Sequence, residues 1–371
     1  FEGTMGHKLA ARLDMPLATS PKSFAIFAHC FTCSKDVFAA NRISQALAAK
    51  GIAVLRFDFT GLGKSEGSFA DSNFSTNVGD LKAAADFLAS EHQAPALLIG
   101  HSLGGAAVLV AASTLASVKA VVTIGAPADP EHVTHAFQTN LDQINETGSA
   151  DVDLVGRPFT IQKQFVDDLK QQDLKQILPS LKKALLVMHA PTDATVGISN
   201  ASDIFTAAKH PKSFVSLDGA DHLLTDKKDA VFAADVISSW ADRYISGKVA
   251  TEKSPITDGN VLVSETGVSK FQQEIKVGAH TFFADEPTSV GGLDTGPAPY
   301  DFLLAGLGAC TAMTMRMYAD FKKLPLERVS VSLKHQKIHA QDCEDCETTS
   351  GKIDEIERTI TIVGDDLSDA Q

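Results

Sequence analysis

The segment Ala96–Gly105, which reads ALLIGHSLGG, is the feature that most constrains the fold of this chain. Its first residues are apolar and predict a short buried strand, and the Ala/Val/Leu-rich residues that follow it predict a helix. Gly100 and Gly104 flank Ser102 two positions away on either side, where larger side chains would collide with the strand and helix of a sharp turn. The pattern therefore predicts a strand-to-helix turn that presents Ser102 as a nucleophile. A tight turn without a catalytic serine is the alternative.

Strands and helices alternate over the first two thirds of the chain. Continuous apolar segments predict strands at 23–29, 52–57, 96–99, 119–124, 184–189 and 213–217. Helices are predicted at 37–50, 73–90, 106–115, 199–209 and 229–246. This alternation is typical of the α/β class, in which helices cover both faces of a parallel sheet. Residues 7–13 alternate in polarity and predict an antiparallel edge strand.

Residues 129–180 interrupt this alternation. They predict a polar helix, a hairpin at 151–160 and a second helix at 163–172. A long excursion between two strands of a sheet is where a cap over a binding site would lie. A surface insertion without a function is the alternative.

A serine is a poor nucleophile at neutral pH, so it needs a base and a group that orients the base. Asp193 follows one predicted strand, and His222 follows the next. The carboxyl ends of parallel strands meet at one edge of a sheet, where the sites of α/β proteins lie. We therefore predict Ser102, Asp193 and His222 as catalytic residues. The alternative for Asp193 is a turn aspartate, and the alternative for His222 is an exposed loop histidine. Asp218 and Asp221 are rival candidates for the group that orients the base.

The chain order Ser102, Asp193, His222 and the turn around the serine resemble those of the α/β-hydrolases. Within them, positions 1–246 are similar to the small serine carboxylesterases that include cinnamoyl and feruloyl esterases, and GRPFT at 156–160 resembles part of their inserted lid. The resemblance implies a serine carboxylic ester hydrolase that acts through an acyl-enzyme on small acyl or aromatic esters, without a cofactor or a metal.

The same resemblance implies an oxyanion hole with two backbone donors. Leu103 N–H begins the helix after the serine, where N–H groups have no intrahelical partner. Phe31 N–H is the second donor, in a loop that carries Cys30 where glycine is common in the family. Asp58, in the DFTGLGKS segment, resembles a family loop residue, and we interpret it as structural.

The composition of the chain changes after position 246. Residues 247–259 are polar and unpatterned, which predicts a linker. Residues 260–371 then predict two antiparallel strands, an apolar helix at 300–320 and two further strands. This part resembles an α+β OsmC/Ohr-like domain that lacks its C-terminal end, and Cys310 in the sequence GACT matches the family's peroxidatic cysteine. The whole chain resembles α/β-hydrolase/OsmC fusion proteins, and the resemblance implies a homodimer through residues 260–371.

An alternative function for the chain is therefore a thiol-dependent organic hydroperoxide reductase with an associated hydrolase domain. The expected glutamate ten positions before Cys310 is replaced by Tyr300, and the first hairpin contains no arginine that would stabilise a thiolate. We expect Cys310 to be a buried, inert thiol and the domain to have little or no peroxidase activity.

Net charge and cysteine content limit the partners and the cellular compartment that we expect for this chain. A formal net charge of −13 disfavours nucleic acid as a partner, and no apolar run approaches the roughly 20 residues that a membrane span needs, so we expect no membrane partner. Five cysteines, an odd number, favour a reducing, cytoplasmic setting. Two C-x-x-C pairs, at 30/33 and 343/346, are too far apart for a shared zinc site, and surface thiols are the expected state, with a redox pair at 343/346 as the alternative.

Overall fold

The structure is a computed structural model that describes residues 1–16, 20–154, 156–245, 260–267, 269–278, 280–339 and 352–364. The chain divides into two compact units, Phe1–Glu252 and Lys253–Gln371, and each has its own sheets and helices. The predicted linker at 247–259, the cysteines Cys343 and Cys346 and the last residues of the chain lie outside the described residues.

The first unit is built on a mixed sheet. Its strands, in chain order, are β1 (Ala11–Asp14), β2 (Ser23–Ala28), β3 (Ile52–Phe57), β4 (Leu97–His101), β5 (Ala120–Ile124), β6 (Ser149–Asp153), β7 (Pro158–Gln162), β8 (Ala184–His189) and β9 (Lys212–Ser216). Seven of these described strands form one sheet in the order β1-β3-β2-β4-β5-β8-β9. Only β1 runs antiparallel, against β3, so the predicted edge strand and parallel sheet are confirmed.

Helices cover both faces of this sheet. The described helices of this unit are α1 (Phe38–Ala49), α2 (Phe74–Glu91), α3 (Leu103–Thr114), α4 (Leu141–Thr147), α5 (Lys163–Leu169), α6 (Leu174–Ile177), α7 (Ser199–Ala207) and α8 (Lys227–Ile245). Of these, α1, α2, α3, α7 and α8 pack on the sheet. Alternate residues of the central strands face opposite sides, so Ile26 packs in a core with α2, α3 and α7, whereas Phe27 packs in a core with α1 and α8. Every residue of β2, β3, β4, β5 and β8 is buried, which explains their continuous apolar sequences.

The excursion between β5 and β8 forms a small cap. It consists of a 3-10 segment at Pro130–Asn140, α4, the β6–β7 hairpin, α5, α6 and a short 3-10 turn at Leu178–Ser180. The predicted hairpin is present, although its strands pair over 149–162 rather than 151–160. Because β5 and β8 are parallel neighbours, the segment between them begins at the carboxyl edge of the sheet.

Within its described residues, the second unit contains two small antiparallel sheets and one long helix. Strands β10 (Val261–Glu265), β11 (Gln273–Val277) and β12 (His280–Ala284) form one sheet, and β13 (Arg328–His339) and β14 (Lys352–Val363) form the other. Helix α9 (Pro299–Lys322) packs on β13, where a Cβ placed on Gly308 would lie 2.8 Å from Leu333 Cδ1.

Two expectations for α9 are wrong. Cys310 is exposed rather than buried, because the helix packs on β13 along a narrow stripe and only Gly308 and Ala319 are buried. Among the described helices, α9 is also the one whose length and mean hydropathy, 1.2, would suit a membrane span, contrary to the expectation that no apolar run is long enough. One such helix is weak evidence for a membrane segment, since core helices meet the same criteria.

Candidate active site

Ser102 lies in a sharp turn between β4 and α3. Its backbone has φ 55° and ψ −127°, a conformation that non-glycine residues rarely adopt and that is found at functional sites. The flanking glycines make the turn possible, because a Cβ on Gly100 would lie 2.3 Å from the Gly104 carbonyl oxygen, and one on Gly104 would lie 2.4 Å from the His29 carbonyl oxygen. The local sequence therefore fixes the direction in which the serine hydroxyl points.

The structure brings the three predicted catalytic side chains together. His222 Nε2 lies 3.1 Å from Ser102 Oγ, and His222 Nδ1 lies 2.7 Å from Asp193 Oδ2. Asp193 follows β8 and His222 follows β9, so the carboxyl ends of neighbouring parallel strands supply them. The rival Asp221 instead accepts hydrogen bonds from Thr225, and Asp218 accepts one from Ser216.

Asp193 is held as a carboxylate facing the histidine. Burial alone would raise its pKa, but hydrogen bonds from His222 and from the backbone N–H groups of Val196 and Thr195 hold the pKa below its usual value. The two backbone bonds, each 2.9 Å, go to Oδ1 and leave Oδ2 for the imidazole. A neutral His222 therefore carries its proton on Nδ1 and presents an unprotonated Nε2 to the serine.

Two residues near the catalytic side chains were not predicted from the sequence. His101 Nε2 lies 2.6 Å from the His222 carbonyl oxygen, so this buried side chain fixes the loop that carries His222. Gly125, with φ +55°, follows β5, and a Cβ there would lie 3.3 Å from His222 Nδ1 and 3.4 Å from Asp193 Oδ2. His101 precedes the serine and Gly125 ends the neighbouring strand, and these positions are the sequence signal that could have identified them.

The loop after β2 carries the predicted oxyanion donor Phe31. Phe31 and Leu103 line the same cavity as Ser102. Among the described residues, no acceptor is bonded to Phe31 N–H, and Leu103 N–H is the first of α3 and has no intrahelical partner. Both groups are thus available to a ligand.

The same loop corrects the expectation of surface thiols. Cys30 and Cys33 form a disulfide, with Cα atoms 5.3 Å apart. Cys30 is buried and Cys33 is half-buried. C-x-x-C spacing suits thiols, metals and disulfides equally well, and the turn conformation at Thr32, with φ 58°, is what brings the two cysteines together here.

Buried polar groups support this loop from below. Asp58 is fully buried and accepts hydrogen bonds from Lys35 Nζ at 2.9 Å, Lys35 N–H at 2.5 Å and Lys64 N–H at 2.9 Å. It lies in an ion pair rather than in the cavity, in line with its structural interpretation. His29 Nδ1 lies 2.8 Å from the Cys30 carbonyl oxygen, and burial lowers the pKa of His29 to about 4, so the side chain stays neutral.

Ser102, His222, Phe31 and Leu103 open into a cavity of about 450 Å³. The cap supplies much of its wall, through His132, Val133, His135, Ala136, Leu154 and Arg157. Arg157 donates a hydrogen bond to the Thr32 carbonyl oxygen and so joins the cap hairpin to the loop after β2. Across the described residues, no group of three or more His, Cys, Asp or Glu side chains is arranged to hold a metal ion.

In the second unit, Tyr300 occupies the position where a glutamate was expected. Its ring stacks on His335 at 3.9 Å, and its hydroxyl lies 3.4 Å from Asp354 Oδ1. A guanidinium from β14 contacts the residue next to Cys310 in sequence, since Arg358 Nη1 lies 3.5 Å from Thr311 Oγ1. The family resemblance predicts such an arginine only in the first hairpin, and Arg358 could not be predicted because β14 is distant from that hairpin in sequence.

Comparison with known families agrees with the architecture of both units. Residues 25–235, more than half of the chain, match the model of the alpha/beta hydrolase family. The chain belongs to this family. Residues 292–371 match the model of OsmC-like proteins, so this α/β-hydrolase carries a C-terminal OsmC-like domain, as the sequence predicted. No match is found among curated proteins.

Solved structures place the α/β-hydrolase near esterases. The esterase domain of a Rhodothermus marinus protein is 50% identical, with 66% of this chain and 97% of that one covered and a TM-score of 0.55. A Butyrivibrio proteoclasticus protein with ferulic acid bound is 21% identical, with 65% and 97% covered and a TM-score of 0.53. A mouse alpha/beta hydrolase domain-containing protein is 20% identical, with 66% and 97% covered and a TM-score of 0.54. The last two show the fold alone, whereas the family match and the 50% identical esterase domain support a hydrolase of the esterase type.

Proposed function

We propose that the protein is a carboxylesterase that hydrolyses small acyl or aromatic esters through an acyl-enzyme on Ser102. The observation that carries the proposal is the hydrogen-bonded chain from Ser102 Oγ through His222 to Asp193, with Ser102 and His222 lining a cavity of about 450 Å³. The name of the Rhodothermus marinus domain, an esterase, supports the same activity.

Ester cleavage follows from this geometry in two steps. His222 Nε2 takes the proton of Ser102 Oγ as the oxygen attacks the ester carbonyl carbon, and the new imidazolium is stabilised by the Asp193 carboxylate. The N–H groups of Phe31 and Leu103 bind the oxyanion. His222 then gives its proton to the leaving alcohol, and the same residues activate a water molecule that hydrolyses the acyl-enzyme.

The cavity favours esters with an apolar acyl or alcohol group. Its wall includes Phe31, Val133 and Leu154, and its volume of about 450 Å³ suits a small molecule rather than a polymer. The ferulic acid bound by the Butyrivibrio proteoclasticus protein is an aromatic acid, so feruloyl esters belong in the first substrate panel.

The decisive experiment compares Ser102→Ala with Ser113→Ala, an exposed serine near the end of the same helix. Hydrolysis of p-nitrophenyl acetate, butyrate, hexanoate and methyl ferulate is measured for both variants. We expect Ser102→Ala to lose roughly 10³-fold or more in kcat and Ser113→Ala to lose none. In the wild-type protein, a fluorophosphonate should add its mass at Ser102 and not at Ser113.

Wild-type turnover by Ser102→Ala, or a fluorophosphonate adduct elsewhere, would refute the nucleophile. Circular dichroism of both variants keeps loss of folding from being read as loss of chemistry. If the wild-type protein hydrolyses none of the esters in the panel, the proposed carboxylesterase activity itself is refuted.

A second candidate activity, thiol-dependent reduction of organic hydroperoxides, is favoured by two observations at Cys310. The thiol is exposed, and the Arg358 guanidinium contacts the neighbouring Thr311. Loss of cumene hydroperoxide with dithiothreitol, compared between wild type and Cys310→Ser, tests it. The expectation from sequence is little or no activity, and rapid consumption that Cys310→Ser abolishes would overturn that expectation.

A further inference from the structure

The Cys30–Cys33 disulfide lies in the active-site cavity itself. Both cysteines line it together with Ser102. Between them stand Phe31, which carries one oxyanion donor, and Thr32. The disulfide thus closes a short loop that contains Phe31 N–H, the group proposed to face the developing negative charge.

The disulfide is reachable by small molecules that enter the cavity. Cys30 is 5% exposed, whereas Cys33 is half-buried, so an incoming thiol meets the sulfur of Cys33 first. The two cysteines are only three positions apart, and a disulfide that closes so short a loop restricts the unfolded chain less than one that closes a long loop. Its place beside the catalytic serine argues for a functional role.

The disulfide also holds an unfavourable backbone. Thr32 has φ 58°, which a β-branched residue adopts only when the surroundings enforce it. Without the covalent link, the turn keeps the Cys33 N–H to Cys30 carbonyl bond of 3.1 Å and the Arg157 contact to the Thr32 carbonyl oxygen. Because β2 and the residues after Cys33 hold the two ends of the turn, relaxation of Thr32 to negative φ would require compensating rotations about Cys30 ψ and Phe31 φ, and these two torsions set the direction of Phe31 N–H.

We propose that Cys30–Cys33 is a thiol–disulfide exchange site that takes small thiols and dithiols, and that its disulfide form holds the oxyanion hole in the competent geometry. The proposed exchange is argued from the position of the disulfide in the cavity. Its effect on turnover rests on the proposed esterase function.

The exchange balances without any further reactant. A thiolate attacks Cys33 Sγ, the Cys30–Cys33 bond breaks and Cys30 leaves as a thiolate, so that a mixed disulfide forms at Cys33. A second thiolate, from the same dithiol or another thiol, attacks the external sulfur of that mixed disulfide. The external thiols are oxidised to a disulfide, the protein pair gains two electrons, and the protons released by the external thiols end on Cys30 and Cys33. An oxidised dithiol reverses each step.

The test equilibrates the full chain without oxygen in reduced and oxidised dithiothreitol at a series of ratios. Free thiols are then trapped with iodoacetamide, and peptide mass spectrometry gives the redox state of the 30/33 pair. Parallel samples are desalted and assayed with p-nitrophenyl acetate. We expect kcat to fall about tenfold with reduction of this pair, with little change in KM, because an oxyanion donor acts mainly in the transition state. Oxidised dithiothreitol should restore activity.

Two double variants separate this pair from the other cysteines. Cys30→Ser/Cys33→Ser should have the low activity of the reduced enzyme and no response to dithiothreitol. Cys343→Ser/Cys346→Ser should keep the full response. Thermal melting of the oxidised and reduced wild-type protein shows that both are folded at the assay temperature.

Full activity of an enzyme whose 30/33 pair is shown to be reduced would overturn the control of turnover. If iodoacetamide alkylates the 30/33 pair at every ratio of reduced to oxidised dithiothreitol, or if dithiothreitol never reduces the pair, the proposed exchange site is wrong. Neither result depends on the esterase proposal, which fails separately if the oxidised wild-type protein cleaves no ester.

Discussion

His101 Nε2 lies 2.6 Å from the carbonyl oxygen of His222, across 121 positions of sequence. A carbonyl oxygen only accepts hydrogen bonds, so Nε2 carries the proton, and Nδ1 has no partner among the described residues. Burial lowers the pKa of His101 to about 4, which keeps it neutral. The residue before Ser102 therefore anchors the backbone of His222, so the Ser102 turn and the His222 loop are joined by a hydrogen bond.

We predict that His101→Leu lowers kcat for p-nitrophenyl acetate by about tenfold to a hundredfold, since a misplaced base weakens proton transfer. His101→Gln is the matched control, because the glutamine amide can donate to the same carbonyl oxygen. It should retain most of the activity. Equal losses in the two variants would show that the imidazole ring, rather than its hydrogen bond, is what matters.

The acid sensitivity of folding should also depend on His101. The unfolded chain binds a proton at the ordinary pKa of 6.5, whereas the folded protein binds it only near 4. Acidification below 6.5 therefore favours the unfolded state, and above 6.5 the residue contributes no pH dependence. Between about pH 7 and about pH 5 this one group should cost about 2 kcal/mol of unfolding free energy.

Urea denaturation of wild type and His101→Gln at the two pH values measures this contribution. His29, which burial also keeps neutral, titrates in both proteins and cancels in the comparison. We expect the stability of the variant to fall by about 2 kcal/mol less than that of wild type. An identical fall in both proteins would contradict the neutral, buried state of His101.

We predict that Gly125→Ala impairs catalysis beyond its effect on stability. A methyl group there would press on His222 Nδ1 and Asp193 Oδ2, at 3.3 and 3.4 Å, and the positive φ adds backbone strain. Gly148→Ala is the control, because Gly148 has φ +89° and no atom within 4 Å of the added Cβ. Both variants should lose about 1 kcal/mol or more of unfolding free energy, but only Gly125→Ala should lower kcat. Equal kcat values would refute a steric role.

Local sequence predicted the elements in which a few residues determine the structure. The turn at Ser102 depends on glycines within two positions, and the strand ends that carry Asp193 and His222 follow from continuous apolar runs. The role of His101 could not be predicted, because its partner is 121 positions away. The exposure of Cys310 was missed for a related reason: an apolar helix predicts burial, but only a structure shows how much of its surface is covered.

The cap should determine the preference for the acyl or alcohol group. Leu154 lines the cavity, whereas Val152, in the same hairpin, is buried away from it. Leu154→Ala should enlarge the cavity and raise kcat/KM for hexanoate or feruloyl esters relative to acetate by about tenfold. Val152→Ala should destabilise the protein without changing that ratio. A uniform fall on all esters in Leu154→Ala would make the hairpin a structural support only.

The apolar surface of α9 should be covered by a second copy of the chain. Within the described residues of the second unit this helix exposes several large apolar side chains, namely Leu303, Leu307, Met313, Met317, Tyr318 and Phe321. Phe321 is 79% exposed and Met317 72%, which is unusual for the surface of a monomer. Because this domain resembles a family of dimeric proteins, we expect a second copy of the chain to cover the apolar surface of α9. Packing against that copy would remove these side chains from water.

Light scattering after size-exclusion chromatography should therefore give a dimer for the wild-type chain. The double substitution Met317→Glu/Phe321→Glu places two charges per chain in the proposed interface, where they would be desolvated without partners, so we expect a monomer or a weakened dimer. Phe232→Glu, at an exposed phenylalanine on α8 of the first unit, is the matched control and should leave the dimer intact. Esterase turnover should persist in the Met317→Glu/Phe321→Glu variant, because the proposed catalytic side chains and the proposed oxyanion donors all come from the first unit. A wild-type chain that is monomeric at all concentrations, or a dimer that only Phe232→Glu disrupts, would place the interface elsewhere.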